Sequence, residues 1–174
     1  YIKEFLDLLN VLKQSRMEAE HVAKYTDELN AALRKEGLQI KNPPTPGDGN
    51  CLFHALSDQM SGKLNILQDV LDHLMLRQIV IDYMINSKEN LEDLVSADLL
   101  DMKLSWDEYI ENMRKPGVWG DQIVLTVVAI MTNTVIKLVS PTFTRVIRPP
   151  ESGTDTMYLG YIPHLHFLSV NPVA

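Results

Sequence analysis

Pro46-Gly47-Asp48-Gly49-Asn50-Cys51-Leu52-Phe53 sets the only cysteine of the chain at the point where a glycine-rich loop turns into a helix. Upstream, residues 42 to 49 hold three prolines and two glycines in eight positions, which excludes regular structure there. Downstream, Leu52, Ala55, Leu56 and Met60 recur at helical spacing and predict a helix over Cys51 to Met60 with that face inward. A thiol at such a junction is chemically loaded. The unpaired N–H groups and the positive end of the helix dipole favour the thiolate, and the glycines let main-chain amides approach a substrate oxygen. A buried structural cysteine fits the same pattern.

Outward from the loop, Ile2, Phe5, Leu6, Leu9 and Leu12 recur at helical spacing, followed by a weaker stripe through Val22, Leu29, Ala32 and Leu33 that stops at Gly37. This predicts one long or two short helices. Leu67 to Met84 predicts another, with Val70, Leu71, Leu74, Ile81 and Met84 along one face. Ser105-Trp106-Asp107-Glu108 is a capping-box pattern that opens the next. Pro116-Gly117 ends it, Gly120-Asp121 opens a further one, and Ile123 to Met131 is apolar all round and therefore buried. Beyond Asn133 the pattern changes to short β-branched or aromatic runs: Val135 to Val139, Phe143 to Ile147, Tyr158 to Tyr161 and Leu165 to Val170. Helices first and strands last predict an α+β fold.

The chain of 174 residues carries 16 Lys+Arg against 23 Asp+Glu, a formal charge of −7. The acid excess is local. Residues 45 to 115 hold thirteen acids and six bases, whereas the segments on either side are balanced. No cationic stripe exists, which argues against nucleic acid or an anionic membrane surface as partner. The nine residues Ile123 to Met131 fall far short of a bilayer span, so no membrane insertion is expected. One cysteine can build neither an internal disulfide nor a thiolate-rich zinc site, so a reducing, cytoplasmic setting is expected and no metal or cofactor is. The Tyr1 start suggests a piece of a longer polypeptide.

A thiolate nucleophile needs a base, and the histidines are His21, His54, His73, His164 and His166. His21 and His73 fall on helical stretches as surface residues. His54 lies three positions after Cys51 on the same helix and points sideways rather than across a cleft. His164 and His166 alternate onto one face of the last strand, and a histidine on a strand facing a helix start suits Cys/His catalysis. Physics alone leaves the choice between those two open.

Asp48-Gly49-Asn50-Cys51-Leu52-Phe53-His54-Ala55 resembles the nucleophile block of the ovarian tumour (OTU) family of cysteine proteases, mostly deubiquitinases. Trp119-Gly120-Asp121 resembles the family's Trp-Gly-[Asp/Glu] segment, and His166-Phe167-Leu168-Ser169-Val170 its histidine block. The likeness spans about residues 44 to 171. It implies a papain-like OTU fold, with helices packed around a small, mostly antiparallel C-terminal sheet. It divides the chain into an N-terminal helical extension, 1–40, and a catalytic domain, 41–174.

The resemblance further implies Cys51 as nucleophile, His166 as general base and then acid, and Asp48, Gly49 and Asn50 as the oxyanion loop, with N–H groups near Asn50 and Cys51 on the oxyanion. The implied reaction is hydrolysis after the Gly-Gly tail of ubiquitin, polyubiquitin or a ubiquitin-like modifier, by a monomeric domain of a larger polypeptide. Trp119 is a substrate-binding candidate, as are the acids Glu92, Asp93, Asp98 and Asp101, which would face a basic modifier. Where many members keep Asp or Asn two residues after the histidine, this chain has Leu168. That shifts the search for the third residue to Asn42, Thr45, Asp48, a main-chain carbonyl or a water. Asp48 is the favoured candidate, either orienting His166 or bracing the oxyanion loop, and Leu168→Asn is expected to be tolerated. Two other readings remain: a catalytically silent ubiquitin-binding module, and a polyprotein-processing OTU-type protease of a virus or mobile element.

Overall fold

The computed structural model describes residues 2–63, 71–151, 153 and 155–174. Helix α1, Ile2–Lys35, is a single 34-residue helix, about 50 Å long at 1.5 Å per residue. Its first two-thirds carry the apolar stripe of Ile2, Phe5 and Leu9 in the open, and only Leu29 and Leu33 are buried. The chain then forms strand β1, Leu38–Ile40, and crosses a loop to α2, Cys51–Lys63. Leu52, Ala55, Leu56 and Met60 all point inward as their spacing requires.

Helix α3 covers His73–Asn86 and is capped by the Asp72 carboxylate on the Met75 N–H. The expected start at Leu67 lies outside the described residues. Within α3 the buried side is Leu76, Arg77, Val80, Ile81 and Met84, while Leu74, expected inward, is 44% exposed. Two short helices follow, α4 at Lys88–Leu91 and α5 at Ser96–Met102, and then α6, Trp106–Met113, which Ser105 and Glu108 open with a reciprocal capping box. Helix α7, Gln122–Thr132, starts at Asp121, whose carboxylate accepts from the N–H groups of Ile123 and Val124. No described helix is long and apolar enough to cross a membrane.

The remaining strands are β2 (Val135–Val139), β3 (Thr144–Ile147), β4 (Thr156–Ile162) and β5 (His166–Pro172). They form a five-stranded sheet in the order β1-β5-β4-β2-β3, antiparallel throughout except for the β2/β4 pair. The observed class is thus the expected one of helices around a mostly antiparallel sheet. The addition is β1, which comes from the N-terminal segment and pairs Gln39 with Asn171 on β5.

The hydrophobic residues divide into two buried clusters. The larger joins α2, α3, α6 and α7 to Ile136, Leu138 and Leu159 of the sheet. The smaller joins Leu29 and Leu33 of α1 to Leu38, Ile162, Leu168 and Val170. Each fully buried side chain contributes on the order of 2 kcal/mol relative to exposure. Strand β5 therefore has α1 packed near it and α2 beside it, and its first residue is held at the start of α2.

Candidate active site

Cys51 is the first residue of α2 and is only 7% exposed. Its main-chain N–H lies in the first turn, where a helix supplies no carbonyl partner. Burial alone would push the thiol up, but the hydrogen bond with His166 and the Phe167 main-chain N–H outweigh it, and the net shift is downward. His166 moves the opposite way. Its bond with Cys51 raises it, against burial, and the Thr45 carbonyl adds to the rise. Opposed shifts of this kind favour a thiolate–imidazolium pair.

The imidazole is oriented from the loop. His166 Nε2 lies 2.8 Å from the Thr45 carbonyl oxygen, so Nε2–H donates there and Nδ1 is left for the thiol. Thr45 is itself strapped to β5, because its Oγ1 accepts from the Ser169 N–H at 2.9 Å. The proline that follows also restricts Thr45 to extended backbone. Two anchors thus fix the carbonyl that fixes the ring. Thr45 was among the sequence candidates; its main-chain oxygen, not its side chain, faces His166.

Asp48 does not play that part. Its Oδ1 accepts from the Asn50 N–H at 3.0 Å and its Oδ2 lies 2.9 Å from His54 Nε2. The His54 bond, with the Asn50 N–H second, holds the Asp48 carboxyl at about 2. Of the two roles expected for Asp48, orienting His166 or bracing the oxyanion loop, the geometry supports the second: both oxygens are engaged within the loop and on His54, and neither reaches His166. Because the Asn50 N–H is occupied by Asp48, it is not free for an oxyanion, whereas the Cys51 N–H at the helix start is a candidate donor.

Asn50, 8% exposed, is the other brace. Its Oδ1 accepts from the Gly117 N–H at 2.8 Å and from Arg77 Nη2 at 2.8 Å. Arg77, 2% exposed, also donates from Nη2 to the Val118 carbonyl and from Nη1 to the Met113 carbonyl, and its guanidinium sits 4.1 Å from the centre of the Phe53 ring. Among the described residues its Nε lacks a partner. Arg77 has no role that its motif discloses, although a charged residue between Leu74 and Ile81 on an apolar helical stripe is a visible signal. Gly49 completes the clamp. Its φ of +82° suits glycine, and a Cβ there would meet the Gly117 carbonyl oxygen at 2.5 Å.

A cleft of about 280 Å³ opens onto Cys51 and His166, walled by Trp119, Leu125, Tyr161 and Phe167 among others. Trp119 is 59% exposed there. Behind it Tyr109 Oη donates to Asp121 Oδ1 at 2.8 Å, and burial raises the Asp121 carboxyl. His164 lines the cleft but is not on β5: it sits in the turn before the strand with φ +59°, so the expected alternation with His166 fails. Glu92, Asp93 and Asp101 are exposed, Asp98 is half-buried, and none of the four lines the cleft.

Leu168 is 4% exposed within the smaller core, which overturns the expected tolerance of an amide at that position. Leu168→Asn should cost about 2–4 kcal/mol of stability, from lost burial plus a polar group without a designed partner. Urea unfolding of this variant checks it, and an unchanged midpoint would contradict the packing described.

The groups present predict the pH profile of any hydrolysis. Thiolate and imidazolium must coexist, so kcat/KM rises with pH as the pair ionises, below the range of a free thiol. It falls as His166 loses its proton, above the ordinary histidine value. A profile that climbs only through the free-thiol range, with no limb below it, would contradict the pair.

A protein-family model described as OTU-like cysteine protease matches residues 46–167. Mouse OTU domain-containing protein 3 is 29% identical over 144 residues, covering 82% of this chain and 34% of that protein. The human protein named Deubiquitinase OTUD6B is 26% identical over 165 residues, covering 93% of this chain and 52% of its own length. The chain therefore spans about a third to a half of these relatives. The OTU domain of OTUD1 superposes with a TM-score of 0.65 at 21% identity, covering 84% of this chain and 94% of that one, a likeness of fold.

Proposed function

The chain belongs to the OTU-like cysteine protease family, and from that premise we propose that it is a thiol-dependent isopeptidase hydrolysing the bond after the C-terminal Gly-Gly of ubiquitin or a ubiquitin-like modifier. The observation that carries this reading is the Cys51–His166 pair, with Thr45 fixing the second ring nitrogen and the braced Asp48–Asn50 loop beside it. The Cys51 thiolate attacks the carbonyl carbon of the terminal glycine, and the electron pair moves to oxygen beside the Cys51 N–H. His166 Nδ1–H then protonates the departing lysine amine as the C–N bond breaks, leaving a thioester. Water, deprotonated by Nδ1, attacks that thioester and returns the thiol.

A cysteine only 7% exposed at the end of an aromatic cleft suits a slim tail without side chains. The relative named as a deubiquitinase supports ubiquitin as the modifier. A silent binding module has no use for an imidazole on its only thiol. We place the enzyme in a reducing, cytoplasmic setting, because that thiol must stay reduced, and infer that it works as a monomer.

Hydrolysis of fluorogenic C-terminal amides of ubiquitin and of ubiquitin-like modifiers, alongside a peptide amide with a bulky last residue, tests the assignment. Cleavage of a Gly-Gly-ended modifier and not of the bulky peptide is expected; the reverse preference would contradict it.

Glu92, Asp93, Asp98 and Asp101 lie outside the cleft, so we assign them to longer-range attraction of a basic modifier. Such attraction is screened over about 10 Å at 0.1 M salt. Replacing all four by their amides should raise KM several-fold at low salt, leave kcat unchanged and flatten the salt dependence. An unchanged low-salt KM would make them a solvated face only.

A further inference from the structure

We propose that Asp48, His54 and His73 form a binding site for a divalent transition-metal ion, with Zn²⁺ the best fit, which clamps the loop ahead of Cys51. The three residues come from different elements: Asp48 from the loop, His54 from the first turns of α2, and His73 from the first position of α3. One ligand atom from each lies within 4.8 Å of the others. Their separation along the chain hides the cluster from the sequence, where His73 reads as a surface residue and His54 as a sideways neighbour of Cys51.

The donor set selects the class of ion. Two imidazoles and one carboxylate suit Zn²⁺, Cu²⁺ or Ni²⁺, whereas Mg²⁺ and Ca²⁺ seek oxygen alone. Three protein ligands leave a fourth tetrahedral position for water. The His54 Nε2 to Asp48 Oδ2 distance of 2.9 Å is slightly shorter than the separation of two ligands at about 2.0–2.2 Å from one zinc, so this edge needs little adjustment.

The His54 and His73 rings are stacked, with centroids 3.7 Å apart and planes 26° apart. Nearly parallel rings send their lone pairs side by side, so one ring must turn for both to converge. The broad χ2 torsion of histidine permits this, and His73 is only half-buried. An ion held by Oδ2 leaves Oδ1 on the Asn50 N–H, so the brace of the oxyanion loop stays and gains a second anchor on α3. Binding needs the His54 Nε2 lone pair, so the neutral ring carries its proton on Nδ1 when the ion is held.

The test uses the full chain carrying Cys51→Ala, which removes the competing thiolate donor. Zn²⁺ is titrated by calorimetry into this protein and into the same protein with His73→Ala, His54→Gln or His166→Ala added. The expected result is one saturable site per chain, weakened about ten-fold or more by His73→Ala and by His54→Gln and unaffected by His166→Ala. Thermal unfolding with and without Zn²⁺ reads the same site, and the midpoint should rise only where both His54 and His73 are present. Absence of a saturable site, equal binding in the His73→Ala protein, or loss of binding in the His166→Ala protein would each overturn the proposal. None of these readouts depends on the hydrolytic reaction.

Discussion

Cys51→Ala should lower kcat/KM on a Gly-Gly-ended modifier by roughly four to six orders of magnitude, because the covalent route is lost and nothing nearby replaces the sulfur. Folding should be nearly unchanged. The side chain packs at a helix start, and exchanging SH for hydrogen removes little volume. His166→Ala should match the loss to within a small factor, since nucleophile and base act as a unit and their effects do not add. His164→Ala is the control. It lies in the cleft but in the turn before β5, so its removal should shift KM by a few-fold and leave kcat within the same order. Steady-state kinetics on the three variants, each checked for native circular dichroism, decide the matter. Retention of a tenth of the activity in Cys51→Ala, or a larger loss in His164→Ala than in His166→Ala, would contradict the assignment.

Arg77→Ala should destabilise the chain by about 3–5 kcal/mol, enough to unfold a marginal domain near body temperature. The guanidinium is the donor to the Met113 and Val118 carbonyls and shares Asn50 Oδ1 with Gly117. Removing it leaves the buried Met113 carbonyl and the part-buried Val118 carbonyl without this donor, at about 1–3 kcal/mol for the buried one, along with a cavity against Phe53. Arg77→Lys separates stability from chemistry. One ammonium cannot span the acceptors that a planar fork reaches, so Asn50 loses its anchor while the charge and much of the volume remain. This variant should fold, with kcat reduced about ten-fold or more and KM little changed, because the loop beside Cys51 is loosened rather than the cleft. Urea midpoints and a kcat–KM comparison measure both. A stable Arg77→Ala protein, or an Arg77→Lys protein altered only in KM, would contradict the clamp.

What the sequence disclosed follows the range over which each signal acts. Helix α2, the Ser105–Glu108 capping box, buried α7 and strand β2 are written in residues within one or two turns of each other, and all were legible. Strand β1 was not. Three residues carry no periodicity, and what makes Leu38–Ile40 a strand is its pairing with β5 at the far end of the chain. The nucleophile loop was legible because glycine, proline and a lone cysteine are each chemically distinctive. The orientation of His166 was not, because a main-chain carbonyl has no letter of its own, and Thr45 serves through that oxygen. His164 escapes strand alternation because the chain is still in a turn there, with φ +59°, and β5 starts only at His166. Leu74 fits the apolar stripe by spacing alone, but the fold turns α3 so that Leu76 and Arg77 lie inside and Leu74 does not.

If Cys51 is the nucleophile for the C-terminus of ubiquitin, incubating the folded chain with ubiquitin bearing a C-terminal electrophile should change its intact mass. An increase of one ubiquitin is expected, mapped by peptide mass spectrometry to Cys51, retained in His164→Ala and absent in Cys51→Ala. No adduct on the folded protein, or an adduct that persists in Cys51→Ala, would contradict it.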